Sequence, residues 1–346
     1  MQAVHFTEHG DPDVIEYGEV PDPEVGRDEV RVDVKAGALN HLDVWTRRGL
    51  PGIDLEFPHV PGSDAAGVVR EVGPDVTRFD PGDRVTVTAG VACGDCEFCR
   101  RGDPSMCVSF HILGEHVPGV HAEEIAVPED NLVPVPEGVD WTVAGSASLV
   151  FGTAWRMLVD RADLGPGESV LVLGASGGVG HAAVGIADYL GAEVIATASS
   201  DAKLAAAADL GADHTVDYTA TDFPSEVRAL TDGRGVDVVV DHVGAETWRD
   251  SLKSLAKGGR LVTCGATTGP NPETDINRIF WNQLEVIGST MATPGQVDDA
   301  LELVWEGAFE PRIREVVPMS EAARAHELLE NREGFGKVVV VPDSEY

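Results

Sequence analysis

Val170-Leu171-Val172-Leu173-Gly174-Ala175-Ser176-Gly177-Gly178-Val179-Gly180 is the stretch from which the fold of this 346-residue chain is read. Four apolar residues suited to a buried strand run straight into three spaced glycines, Gly174, Gly177 and Gly180. Val179, Ala183, Ile186 and Leu190 then recur at helical spacing, and Gly191 stands where helices commonly stop. Strand, glycine turn, helix is the context in which such glycines point to a dinucleotide site. Glycine lets the backbone turn tightly and approach a pyrophosphate. The helix start adds free N–H groups at the positive end of its dipole. The same turn with no ligand is the plainer alternative.

Outward from this centre, the length suits two domains, each able to bury a core. No apolar run approaches the ~20 residues of a membrane span. Met1-Gln2-Ala3-Val4-His5 does not open a signal peptide, so a soluble cytoplasmic protein is expected. Acids outnumber bases 59 to 25, a formal net charge of −34 spread over both halves. Such a surface repels itself unless salt screens it, the Debye length falling to ~3 Å at 1 M. The composition resembles that of proteins from salt-accumulating halophiles. Nucleic acid and anionic membranes are excluded as natural partners, leaving small molecules; an acid-binding partner is the alternative.

Residues 1–35 read as short strands, with Val30-Arg31-Val32-Asp33-Val34 in strict alternation. A helical stretch follows from Asn40-His41-Leu42-Asp43-Val44-Trp45, then Phe57-Pro58-His59-Val60-Pro61-Gly62-Ser63-Asp64, then Phe79-Asp80-Pro81-Gly82-Asp83-Arg84-Val85. This order of segments, with the glycine turn about 100 residues further on, resembles the medium-chain dehydrogenase/reductase superfamily: zinc alcohol dehydrogenases, quinone oxidoreductases and enoyl reductases. The resemblance covers essentially the whole chain. It implies an α/β protein, a GroES-like β-barrel catalytic domain plus a Rossmann doubly wound parallel sheet. The catalytic domain would take residues 1–151 and 292–346, the Rossmann domain residues 152–291. A homodimer or homotetramer is also implied.

Cys93, Cys96, Cys99 and Cys107 fall within 15 residues. In a reducing compartment this density points to metal before disulfides. Four thiolates close a tetrahedron around zinc with no open position, a structural site. An iron–sulfur cluster is the rival, but its motif continues with three residues and Cys-Pro, whereas here seven residues separate Cys99 from Cys107 and Val108 follows. The spacing also resembles the structural zinc lobe of alcohol dehydrogenases. Cys264 reads as a small buried hydrophobe.

At the catalytic zinc positions the resemblance breaks down. It places Asn40 at the first ligand position, Ser63 at the second, and the third near Leu149, with Leu42 in place of the proton-relaying hydroxyl. An amide, a hydroxyl and an aliphatic chain do not make a zinc site. Asn40, His41 and Asp43 look instead like the matching stretch of zinc-free quinone oxidoreductases. His41, His59, Asp64, Glu115 and His116 could form another metal trio, but hydrogen-bonded core or surface roles explain them more simply.

The cofactor-binding candidates are Thr153, Gly174, Ser176, Gly177, Gly178, Val179, Gly180, Ser199, Ser200, Lys203, Tyr218, His242 and Gly265. NAD sites place an acid at the end of the second strand, where this chain has Ala198. Ser199, Ser200 and Lys203 could take a 2′-phosphate, so NADP(H) is favoured over NAD(H). Asp201 reads as the N-cap of a helix over residues 202–210. Tyr218 is a candidate to stack on adenine. Asp241, His242 and Gly265 lie at strand ends, where they either meet the cofactor or simply finish the strand.

With no catalytic metal, hydrogen bonds must polarise a substrate carbonyl. Asn40 is read as an amide donor. Trp45 replaces the Tyr common in quinone oxidoreductases and can donate without exchanging a proton usefully. His41 or His116 could shuttle protons. Glu115 resembles an acidic residue of related enoyl reductases. A quinone, enone or other carbonyl substrate suits this set. The rivals are an alcohol or aldehyde dehydrogenase with an atypical metal site, and a nucleotide-binding protein without turnover.

Overall fold

The computed structural model describes residues 1–346. Its first sheet has seven strands, six of them along one path, Ile313–Pro318, Lys337–Val341, Glu29–Ala38, Asp64–Val72, Arg84–Val87 and Leu132–Pro134, with Glu124–Pro128 paired alongside Glu29–Ala38. The alternation in Glu29–Ala38 sends Val30, Val32 and Val34 into a core shared with Val85, Val87, Ile125 and Val127. The return strand Lys337–Val341 lies antiparallel to Glu29–Ala38, with Val339 opposite Ala38 and Val340 opposite Gly37. Lys337 is thereby carried to the end of Glu29–Ala38, where Asn40 starts the helix His41–Arg48.

The second sheet is parallel throughout, in the order His214–Asp217, Glu193–Ala198, Ser169–Val172, Val236–Val240, Leu255–Thr263, Glu285–Gly288. In chain order this is 3-2-1-4-5-6, the Rossmann arrangement, whose direction reverses between Ser169–Val172 and Val236–Val240. Ligands bind beyond the carboxyl ends of the strands at such a reversal. The strands read as nearly continuous apolar runs because helices cover both faces of a parallel sheet. The glycine turn leads into Gly178–Tyr189, and Gly191 takes a φ of +75° just past it.

Helix Trp141–Trp155 packs on the first sheet and on helices Gly178–Tyr189 and Pro294–Trp305, so a division at 151/152 cuts through it rather than through a loop. The helix expected from residue 202 begins one residue earlier, as Asp201–Ala208, and Ser200, not Asp201, is its N-cap residue. Ser200 has the extended backbone that a cap requires, and Asp201 sits in the first turn, where a carboxylate favours the helix dipole.

Candidate functional site

Only glycine fits at the heart of the turn. Gly174 takes a φ of +60°, and a Cβ on Gly180 would lie 2.2 Å from the Gly174 carbonyl oxygen. Ser176, Gly177, Gly178 and Val179 line the same opening, each partly exposed. His242 closes its far side, with Nε2 3.2 Å from where a Gly174 Cβ would be. Two buried polar atoms here have no partner in the protein, Thr153 Oγ1 and His242 Nδ1. Orphaned groups beside a glycine turn at the reversal point fit a nucleotide supplying the missing bonds. Asp241 instead serves its own loop, accepting from Val243 N, Gly244 N, Thr247 Oγ1 and Ser251 Oγ. Just past the second parallel strand, Lys203 Nζ donates to Ser199 Oγ at 3.4 Å and to Arg332 O at 2.7 Å. Tyr218 is about half exposed just past its strand. Gly265 and Cys264 line a cavity of ≈ 640 Å³ with Met106 and Trp248. Cys264 is therefore partly exposed on a cavity wall and not the buried hydrophobe expected from sequence, because the strand ends at Thr263.

A buried polar network lies beneath the cleft. Lys337 Nζ donates to Asn40 Oδ1 at 2.6 Å and to Asp64 Oδ2 at 3.1 Å. Asn40 Nδ2 donates to Asp64 Oδ2 at 2.9 Å and to Ala38 O at 3.4 Å. Ser148 Oγ and Leu149 N both donate to Asp64 Oδ1 at 2.9 Å. Asn40 thus has neither amide hydrogen free, which corrects its reading as a donor to substrate: Asp64, 24 residues on, consumes the amide. Asp43 accepts from Asn40 N at 2.7 Å and Gly62 N at 3.0 Å, so it shapes the backbone here. Burial raises its carboxyl above the usual range.

Above the network, Ser63 Oγ donates to Leu113 O at 2.7 Å and His59 Nε2 is 3.1 Å from Gly114 O, pinning residues 113–115 over Gly62. Gly114 has a φ of +81°, and a Cβ there would sit 2.4 Å from Gly62 O. Glu115 follows directly. Burial, with Asp43 nearby, pushes its carboxyl up to about 7. His116 Nδ1 lies 3.4 Å from Glu115 Oε2 and accepts from Ile112 N. Burial and His111 hold the His116 imidazole below its ordinary value. His41, on the first turn of its helix, is pushed down to about 4 by burial and by His242, Arg332 and Lys337, so it is neutral at working pH. The Trp45 ring lies 6.2 Å from it.

The sulfur lobe stands apart. The four Sγ atoms of Cys93, Cys96, Cys99 and Cys107 lie within 4.8 Å of one another. Three of the separations are 3.4, 3.5 and 4.0 Å. Zinc–sulfur bonds of ~2.3 Å in a tetrahedron require edges of ~3.8 Å, so the set fits that ion. Cys93 N and Ser109 N also donate to Cys107 Sγ. The four cysteines are the one group of three or more ligand-type side chains that converges in the structure.

The profile of the alcohol dehydrogenase GroES-like domain matches residues 26–137, and that of the zinc-binding dehydrogenases matches residues 178–306. The chain is 33% identical to an acryloyl-coenzyme A reductase of Sulfurisphaera tokodaii over 94% of its length and 95% of the relative's. It is also 33% identical to a quinone oxidoreductase of Pseudomonas aeruginosa over 99% of each. A crystal structure of an NAD-dependent alcohol dehydrogenase superposes with a TM-score of 0.95 at 46% identity, over 99% of both chains. The protein belongs to the medium-chain dehydrogenase/reductase superfamily, and it is an oxidoreductase by that kinship.

Seen as such an enzyme, the chain carries a buried, charged network beneath its cleft. The Asn40 amide and the Leu149 backbone N–H both meet the Asp64 carboxylate, and the cation there is the Lys337 ammonium; Ser63 Oγ turns instead to Leu113 O. Lys337 belongs to none of the motifs read from the sequence. One signal was available: a lysine opening Lys337-Val338-Val339-Val340-Val341, a strand otherwise wholly apolar.

Proposed function

We propose that the protein is an NADP(H)-dependent reductase of conjugated carbonyl compounds, enones or quinones, working without a catalytic metal and holding one structural zinc at its four cysteines. The observation that carries this is the Lys337 ammonium on Asn40 and Asp64. It gives the buried Asp64 carboxylate a fixed monocation beside Asn40, while Asn40, Ser63 and Leu149 offer zinc no ligand set. When bound, the nicotinamide supplies or accepts a hydride. Addition of that hydride at the β-carbon of a conjugated carbonyl would form a C–H bond there and push the Cα=Cβ π pair toward the carbonyl oxygen as an enolate. Neutral His41 offers an N–H to that oxygen, and Glu115, protonated below about pH 7, gives a proton to the α-carbon. Solvent then reprotonates Glu115.

Ala198 at the end of the second strand, followed by Ser199, Ser200 and Lys203, favours the 2′-phosphorylated cofactor. Residues 1–151 with 292–346 would form the catalytic domain, and 152–291 the cofactor domain. The net charge of −34 suits a saline cytoplasm. No helix is long and apolar enough to cross a membrane. Ile276, Phe280 and Trp281 are 69, 60 and 76% exposed on one helix, beside the edge strand Glu285–Gly288. An apolar face continued by an unpaired strand suits a second copy of the chain, a homodimer.

A second reading, an NAD(H)-dependent alcohol dehydrogenase, is favoured by the 46% identical structure of that name. Zinc per chain, followed by NADPH and NADH titrations and turnover on enones, quinones and alcohols at molar salt, separates the two. One zinc with NADPH-dependent enone or quinone reduction supports the proposal. Two zincs with NAD-dependent alcohol oxidation overturns it.

A further inference from the structure

The ≈ 640 Å³ cavity that Cys264 and Gly265 border lies beyond the carboxyl ends of strands Leu255–Thr263 and Glu285–Gly288. One wall belongs to the cofactor sheet, and Ser105 and Met106 of the sulfur lobe form part of the other. Its size suits a small organic ligand. Not one lining residue is an acid, although 59 of the 346 residues of the chain are. Two are arginines, Arg156 and Arg161. An anion therefore meets less repulsion here than over the acidic surface around it.

The two guanidinium groups are placed differently. Arg156 is 5% exposed, and its Nη atoms donate to Gln296 Oε1 at 3.0 Å and to both carboxylate oxygens of Asp103 at 3.1 Å. Asp103 thus neutralises it. Arg161 is exposed, and its Nε donates to Gly288 O at 3.0 Å. Neither of its Nη atoms has a hydrogen-bond or ion-pair partner in the protein. Ser289, the next residue after Gly288, is 9% exposed on the cavity wall, and its Oγ has no partner either. Its backbone N–H is already used, donating to Thr263 O at 2.8 Å. A free guanidinium and an orphaned hydroxyl flank one peptide, Gly288–Ser289. Leaving a buried hydroxyl unpaired costs free energy, and two free Nη groups can pair two oxygens at once. Elsewhere on the wall, a Cβ on Gly265 would lie 3.6 Å from His242 O, so the cavity adjoins the residue that closes the glycine turn.

We propose that this cavity holds the tail of the substrate and selects a conjugated carbonyl compound whose tail ends in an anion, a carboxylate or a phosphate, bound by the Arg161 Nη groups and Ser289 Oγ. The inference rests on the carbonyl-reductase reading and deepens it by naming the substrate class. It does not depend on which dinucleotide the protein uses. Arg156 is a positioning residue. Through Asp103, which lies between Cys99 and Cys107, it fastens the sulfur lobe to the cavity wall.

The test compares kcat/KM, at saturating nicotinamide cofactor, for straight-chain methyl enones ending in a carboxylate, their methyl esters and the phosphate-ended series, over increasing tail length. The wild type should favour the carboxylate over its ester by about 10–100-fold at the best length, with the difference in KM. Arg161→Gln should bring that ratio close to one, and Arg161→Lys should restore part of it. Ser289→Ala should lower it less. Raising KCl should shrink the wild-type ratio, because salt screens an exposed charge pair. Preference for the phosphate series, lost in Arg161→Gln, upholds the anion site and assigns it to a phosphorylated tail. Acids and esters reduced alike by the wild type overturn the site while the carbonyl-reductase reading stands. So does an acid preference that Arg161→Gln and Ser289→Ala both retain in full. Absence of turnover on every enone overturns the proposal, and absence on quinones as well overturns the reading beneath it.

Discussion

Two regions of this molecule gather ligand-type side chains, and they do so around different cations. In residues 93–107 four thiols converge to separations that suit a tetrahedral ion. Under the cleft, an amide and a carboxylate converge on an ammonium that belongs to the chain itself. Four sulfurs cannot all ionise side by side without a dication between them, so the lobe depends on something the chain does not contain. The Asp64 carboxylate is buried, yet Lys337, Asn40, Ser148 and Leu149 supply its partners. A buried charge demands compensation, and a covalently attached cation provides it whatever metal the cell offers.

The largest expected effect comes from taking one sulfur away. Cys107→Ser should lose the lobe's metal by elemental analysis and open residues 93–107 to proteases that cut at Arg100 and Arg101, since structural zinc contributes roughly 10–16 kcal/mol in small peptides. Full metal retention would break the sulfur half of the comparison. Next is Lys337→Met, which leaves Asp64 buried and unpaired and should lower unfolding stability by about 3–5 kcal/mol. The double variant Lys337→Met with Asp64→Asn should recover most of that loss in urea titrations. Equal stability of the single and double variants would mean that no ion pair exists to break.

Glu115→Gln should lower kcat about 100-fold, a typical contribution of a general acid. The wild-type rate should fall as pH rises through about 7, where Glu115 loses its proton, and the variant should lack that limb. The sign for stability follows from the same group. Between pH 4.5 and about 7 the folded chain keeps a proton that the unfolded chain releases, so Glu115 makes folding less favourable as pH rises through that window. An unchanged pH–rate profile in Glu115→Gln would remove it from the chemistry. The smallest effect sharpens the contrast between surface and interior. Raising KCl from ~0.1 to ~2 M should stabilise every variant by screening the acidic surface, yet leave the Lys337→Met penalty unchanged, because a buried pair is little screened.

Much of the fold was legible because its signals are local. The glycine turn, the apolar strands of the parallel sheet and the Cys-x2-Cys-x2-Cys spacing each declare themselves within a dozen residues or so. The identities Asn40, Ser63 and Leu149, read against the resemblance, are what the reading without a catalytic metal rests on. Asn40 was misread as a free donor because its competitor, Asp64, reaches it only across paired strands, Ala38 standing opposite Asp64 in the sheet. The capping residue shifted from Asp201 to Ser200 because helix ends are settled by backbone geometry that sequence specifies loosely.

By itself, then, the sequence determined which cofactor turn, which sulfur lobe and which acidic surface this protein carries, since each follows from composition or short-range spacing. Tertiary structure alone decided that Lys337 meets Asn40 across 297 positions and that Lys203 meets Arg332 across 129. Those contacts depend on strand register and on loops crossing between sheets. Which distant residues such a register brings together is decided by how the strands assemble, not by any stretch that contains only one partner.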